Sequence, residues 1–275
     1  MNTILSRSSR AAAIAVFFLL CAKPAGAQTD YYNTDAGRPL TIEDAYATER
    51  YAFELQLAPL RLERTRGGIY QWEIEPELAY GILPRTQIEI GAPFSYRDVG
   101  GSRESGLAGI GLSVLHNLNL ETRIPALALS GNVLLPVGRL APDEAVFSAK
   151  AIVTRTFRWA RFHINGEYTF GSEDSLSSST ESARSGSTRW LAGIAVDRTF
   201  PLRSMLIGAE VFARQAGIDD SDTEWNAALG IRRQLSPAFN IDAGIGKQLT
   251  GDDRSWFVTF GLARAFAVRS LFPGH

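Results

Sequence analysis

From Tyr70 to Gly81 the chain alternates without a break: Tyr70, Trp72, Ile74, Pro76, Leu78 and Tyr80 fall on one side, Gln71, Glu73, Glu75, Glu77, Ala79 and Gly81 on the other. A period of two puts neighbouring side chains on opposite faces of a β-strand, so this strand has an apolar face and an acidic one. The alternation returns from Thr86 to Arg97, where Ile88, Ile90, Ala92, Phe94 and Tyr96 oppose Gln87, Glu89, Gly91, Pro93, Ser95 and Arg97. It returns again from Arg161 to Gly171, with Phe162, Ile164, Gly166, Tyr168 and Phe170 opposite His163, Asn165, Glu167 and Thr169. About twelve such segments can be read, each near the length a tilted membrane-spanning strand needs. They are 50–63, 69–82, 86–97, 107–118, 124–135, 145–157, 161–171, 188–199, 204–214, 224–234, 238–248 and 255–266. The pattern predicts an all-β protein, an antiparallel transmembrane β-barrel of about twelve strands. Gly106, Gly109 and Gly111 make 107–118 the weakest of the set.

The first residues place the chain outside the cytoplasm. Arg7 and Arg10 precede an apolar run from Ala11 to Ala22, and Ala25-Gly26-Ala27 has the small residues of a cleavage site. This reads as a signal peptide over 1–27, its apolar run too short to span a bilayer. Cys21, the one cysteine, follows Leu20, where lipid attachment wants a small residue; cleavage after Ala27 removes it. The mature chain then has neither disulfides nor thiolate-held metals. It keeps 25 basic against 29 acidic side chains, which argues against a nucleic-acid partner. No mature stretch is apolar enough for a transmembrane helix, so a membrane span must be a closed barrel.

The connections alternate as well. Short turns at 83–85, 119–123, 158–160, 201–203 and 236–237 interleave with longer polar links at 98–105, 136–144, 172–187, 215–223 and 250–254. Barrels of the outer membrane keep tight turns on the periplasmic side and longer loops outside. The serine-rich link 172–187 reads as a mobile loop. Tyr70, Tyr80, Tyr96, Phe157, Phe170, Trp190, Phe200, Trp225, Phe239 and Trp256 lie near segment ends, as two interfacial girdles require. The run Thr259 to Phe266 resembles the terminal signal read by the barrel-assembly machinery, although Arg264 stands where an apolar residue is expected and nine residues follow. The organisation expected is a signal peptide at 1–27, an N-terminal segment at 28–49, a barrel at 50–266 and a tail at 267–275.

Three stretches carry a family likeness: Gly37-Arg38-Pro39-Leu40-Thr41-Ile42-Glu43-Asp44-Ala45, the strand around Phe53-Glu54-Leu55, and Glu75 to Gly81 continuing through Pro84 to Glu89. They resemble the outer-membrane transporter family associated with the meta pathway of phenol degradation. Asn132 to Gly138 resembles that family's strand end, where Pro-x-Gly leads into an outer loop. The resemblance implies a barrel passing aromatic or other hydrophobic compounds, and covers the first half of the chain most clearly.

With apolar faces toward lipid, Glu54, Gln56, Glu73, Glu75, Glu77 and Glu89 point inward from three consecutive strands. The wall is either a cation-favouring surface or one side of a buried network with Lys150, Arg189, Arg214 and Arg232, because unpaired carboxylates at this density are costly. A barrel of this size is narrow enough for side chains to fill. The segment 28–49 can fold inward as a plug, with Glu43 and Asp44 reaching inward-facing cations, or remain a periplasmic tail. His163 shares its face with Asn165 and Glu167 and reads as a satisfied lumen histidine rather than a general base. The only other histidines are His116 and His275, and none has metal-ligand spacing. The glycines at 106–111 and 244–246 lack the context of nucleotide-binding loops. The expectation is a passive conduit in the outer membrane, with a small organic substrate, lipid as surroundings, no cofactor and no catalysis. A closed structural or adhesive barrel, a lipid-modifying barrel enzyme and a secreted β-sandwich are the rivals.

Overall fold

The computed structural model describes residues 32–64, 70–99, 102–171, 188–216, 222–250 and 255–267. The predicted signal peptide and the serine-rich link 172–187 lie outside them, as does the tail beyond Ala267.

Fourteen strands follow one another in a single antiparallel sheet: β1 (Ala52–Arg64), β2 (Tyr70–Leu83), β3 (Thr86–Gly91), β4 (Phe94–Val99), β5 (Ser102–Leu107), β6 (Ile110–Asn117), β7 (Ala126–Leu135), β8 (Val146–Thr156), β9 (Arg161–Phe170), β10 (Thr188–Phe200), β11 (Met205–Ala216), β12 (Glu224–Ser236), β13 (Phe239–Gln248) and β14 (Trp256–Ala267). β1 pairs with both β2 and β14, so the sheet closes on itself. β3 and β4 pair with the two halves of β2, and β5 and β6 pair with β4 and β3. Each of these two pairs is therefore one barrel strand with a break in it, and the barrel has twelve.

Both breaks have local causes. Pro93 has no N–H to give the ladder, while Gly109 holds φ at +139°, in the region that favours glycine. The weak alternation at 107–118 is this kink. Residues 98–105 were expected to be a loop, but β4 and β5 run through them as paired strands. Their polar side chains hid the strand, since that hairpin has no continuous apolar face. A third irregularity lies in β1, whose register slips between Gln56 and Leu60 against β14 and between Leu57 and Leu60 against β2.

The barrel is polar inside and apolar outside. Ile88, Ile90, Leu129, Ile164, Ile194, Leu229 and Ile245 are exposed outward, while Gln87, Asn117, Thr154, His163, Asn165, Glu210, Arg232 and Asp242 are buried inward. In water this arrangement would forfeit the main force for folding; in hydrocarbon it is the arrangement that works. Aromatic side chains gather at the two rims. Phe53 stacks between Tyr80 and Phe266 at the short-turn end, and Trp72 stacks on Tyr96 at the other.

Candidate functional site

The N-terminal segment crosses the barrel interior at the short-turn end. Its seat is a row of glycines. Gly208, Gly230 and Gly244 are direct cross-strand partners on β11, β12 and β13, so they leave a trough across the wall. A Cβ on Gly208 would lie 2.8 Å from Leu40, one on Gly230 2.8 Å from Pro39, and one on Gly244 2.6 Å from the Pro39 carbonyl. Gly193 on β10 gives the same clearance to Ile42. Leu40 and Ile42 then pack with Ala195, Phe212, Ala228 and Phe257, an apolar island in a polar lumen.

Polar side chains hold the rest of the segment by its backbone. Glu210 accepts the Thr41 N–H at 2.8 Å and the Ile42 N–H at 2.8 Å. Asn165 accepts the Glu43 N–H and donates to the Glu43 carbonyl, both at 2.9 Å. Asn117 donates to the Ala45 carbonyl at 2.7 Å, and Gln87 accepts the Thr48 N–H at 2.6 Å. Thr154 Oγ1 accepts the Ala45 N–H at 2.9 Å and lies 3.0 Å from His163 Nδ1, whose Nε2 lies 2.6 Å from Asp197. Hydroxyl, imidazole and carboxylate follow one another as in a nucleophile relay. Here the hydroxyl is engaged by the segment, and the trio is buried in the lumen instead of facing lipid.

Three groups of ion pairs complete the anchorage. Arg38, fully buried, donates to Asp35 at 2.6 Å, Glu54 at 3.0 Å and Asp242 at 3.2 Å. Arg232 donates to the Arg38 carbonyl at 2.7 Å and to Asn33, and it also pairs with Asp35 at 3.1 Å. Arg161 pairs with Asp197 at 2.9 Å and with Asp44 at 3.5 Å. Lys150 bridges Glu43 at 2.7 Å and Glu167 at 3.4 Å. Buried charges persist only with partners like these.

The segment leaves a cavity of about 160 Å³ against the opposite wall. Ala36, Gly37, Thr41 and Glu43 form one side of it; β2, β3 and β6 to β10 supply the remainder, including Glu75, Glu77, Glu89, Lys150 and Glu167. Glu89 accepts from Gln87 at 2.8 Å and from Ser113 at 2.7 Å. Glu77 has no hydrogen-bond or ion-pair partner among the described residues. Gly91 makes room for the acids, because a Cβ there would lie 3.2 Å from Glu75 Oε1 and 3.2 Å from Glu77 Cγ.

The structure thus divides the residues singled out from sequence. Glu43, Glu75, Glu77, Glu89, Lys150 and Glu167 meet at the cavity, whereas Glu54, Arg232, His163 and Asp44 belong to the segment's anchorage. Glu73 is buried on β2 on the long-loop side of Glu75. Arg214 pairs with Glu224 at 2.8 Å, and Arg189 donates to the Gly171 carbonyl at the loop end of the barrel. Two of the four cations set against the acidic wall in the network reading have partners outside that wall. Lys150 and Arg232 turn to Glu43, Glu167, Asp35 and Asp242, and Glu54 takes its cation from the segment, Arg38. Asp35 and Arg38 were invisible as charge partners because the fate of residues before the first strand has no periodic signature. Asp197, Glu210, Asp242 and the glycine row were overlooked although the alternation placed them inward. Among the described residues no cluster of three or more His, Cys, Asp or Glu is placed to hold a metal.

A family model described as "Putative MetA-pathway of phenol degradation" matches residues 44–266. Among solved structures, an outer-membrane channel of Pseudomonas putida F1 is similar at 12% identity and a TM-score of 0.54, over 85% of this chain and 100% of that one. The KdgM porin in complex with disordered oligogalacturonate is similar at 8% identity and 0.50, over 78% and 99%. The β domain of the Bordetella autotransporter BrkA is similar at 12% and 0.50, also over 78% and 99%. At these identities the likeness is one of fold. No curated protein sequence matches the chain.

Proposed function

The chain belongs to the MetA-pathway phenol-degradation family, and from that premise we propose that it is an outer-membrane conduit through which a small aromatic or hydrophobic compound diffuses passively, with residues 32–49 as its plug. The observation that carries this reading is the segment itself. It is seated in a glycine trough and held largely through its backbone by side chains of the wall. A tail with no role in the lumen has no need of such a seat. Above it the wall keeps a polar cavity, and among the described residues nothing couples passage to an energy source. Diffusion therefore depends on the plug's position and on the charge of the lumen. Its surroundings would be outer-membrane lipid, reached through a cleaved signal peptide and the barrel-assembly machinery.

A second reading is favoured by the density of the anchorage: a barrel sealed for good, with a structural or adhesive role played by its loops. Single-channel recording in planar bilayers separates the two. The mature protein should conduct weakly or intermittently, and a form lacking 28–49 should conduct steadily and more. An inserted, folded truncation that stays silent supports the sealed barrel instead.

A further inference from the structure

We infer that the lumen cavity is a binding site for a small amphiphilic organic cation, an ammonium group carried on a compact apolar body. This names the compound class for the conduit proposed above and rests on that reading for its physiological meaning, though binding itself does not.

The charge around the cavity is one-sided. Five carboxylates line it, those of Glu43, Glu75, Glu77, Glu89 and Glu167, against the single ammonium of Lys150. Lys150 is committed to Glu43 and Glu167. The next cation, Arg38, is engaged by Asp35, Glu54 and Asp242. Glu75 and Glu77 both lie over Gly91, so two like charges share that corner of the cavity, a situation that a cation entering it or a proton on one of them relieves.

A second observation is independent of the acids. Ser148, on the inward face of β8, is 7% exposed, lines the cavity, and its hydroxyl has no hydrogen-bond partner among the described residues. Its oxygen opens on the cavity and can accept from a donor that enters there. An ammonium brings several N–H donors and no acceptor, which suits carboxylates on one side and a hydroxyl on the other.

The remaining lining sets the body of the ligand. Leu115, Leu134, Leu191 and Pro93 also face the space, an apolar complement that a bare ion does not use. The carboxylates are too dispersed to form a metal cluster among the described residues. At roughly 30 Å³ per water the cavity holds about five waters, which suits a small organic ion and not an oligomer.

The test is calorimetric titration of the full mature protein in detergent with benzylammonium, its neutral analogue benzyl alcohol, and benzoate. The expected order is ammonium first, about tenfold or more ahead of the alcohol, with benzoate last. Glu77→Gln should remove most of that preference, and Ser148→Ala should weaken ammonium binding by about threefold or more. Glu144→Gln, on an exposed loop, should leave both unchanged. Folding of each variant is read from its heat-modifiable migration, and Ser148→Ala carries the test alone if Glu77→Gln fails to fold. Absent binding, equal binding of ammonium and alcohol, or a preference untouched by the folded variants overturns the inference. Because the titration needs no conduction, a silent barrel that binds benzylammonium would sink only the conduit reading, and a conducting barrel without the preference only this one.

Discussion

Glu210 and Glu77 project into the same lumen from opposite walls, and their situations differ as much as two glutamates can. Glu210 sits against the segment and accepts backbone N–H groups from Thr41 and Ile42. Glu77 faces the cavity with no hydrogen-bond partner among the described residues. The wall from β8 to β14 is organised around a peptide, with a glycine trough, a carboxylate placed for two N–H groups, and ion pairs that close on Arg38 and Asp44. The wall of β2 and β3, apart from Gln87 at its short-turn end, is organised around space. Alternation puts a glutamate inward in either case; what lies opposite decides whether it is a clamp or an open charge.

Substitutions at matched positions should reveal that asymmetry. The largest effect is expected from Asp242→Ala, which takes from the buried Arg38 and Arg232 the wall carboxylate they share and should cost about 3 kcal/mol in urea unfolding from detergent or lipid. A loss under about 1 kcal/mol would mean that Asp35 and Glu54 hold the two arginines without it. Next comes Ile90→Arg, beside Glu89 but facing outward, at about 2–4 kcal/mol in bilayers if the position is near the midplane. An unchanged bilayer stability would reverse the assignment of faces. Glu210→Ala should cost about 2 kcal/mol in docking of the segment, seen as faster proteolysis between residues 32 and 49. Cleavage at the wild-type rate would remove Glu210 from the anchorage. Glu77→Gln should change unfolding by less than about 0.5 kcal/mol while moving the reversal potential away from cation preference. A cost as large as that of Glu210→Ala would show that Glu77 has a structural partner and that the two walls are alike.

The barrel was legible because a half-apolar strand has a signature independent of its partners. Ile74, Ile90 and Ile164 announce lipid on one side whatever stands opposite, and the strand ends fell within a few residues of the observed ones. Strand β5 was missed for the complementary reason: Ser102 to Gly106 lacks large apolar residues, so the outward face that marks the other strands is absent. The acidic wall was readable as a set of inward positions, but partners across a lumen depend on register around the whole circumference. No spacing in sequence connects Arg38 with Asp242 or Thr41 with Glu210. The glycine trough shows the same limit. Gly208, Gly230 and Gly244 are unremarkable one at a time and become a seat only when three registers align them.

Everything distinctive in this account follows from residues 32–49 being docked inside the barrel. The most direct measurement is hydrogen exchange at the amides of Thr41, Ile42, Glu43, Ala45 and Thr48, followed by NMR on the mature protein in micelles. The structure gives each a side-chain acceptor on the wall, so they should exchange orders of magnitude more slowly than a free chain. Exchange at the free-chain rate, with the barrel strands protected, would place the segment outside the lumen and contradict the account.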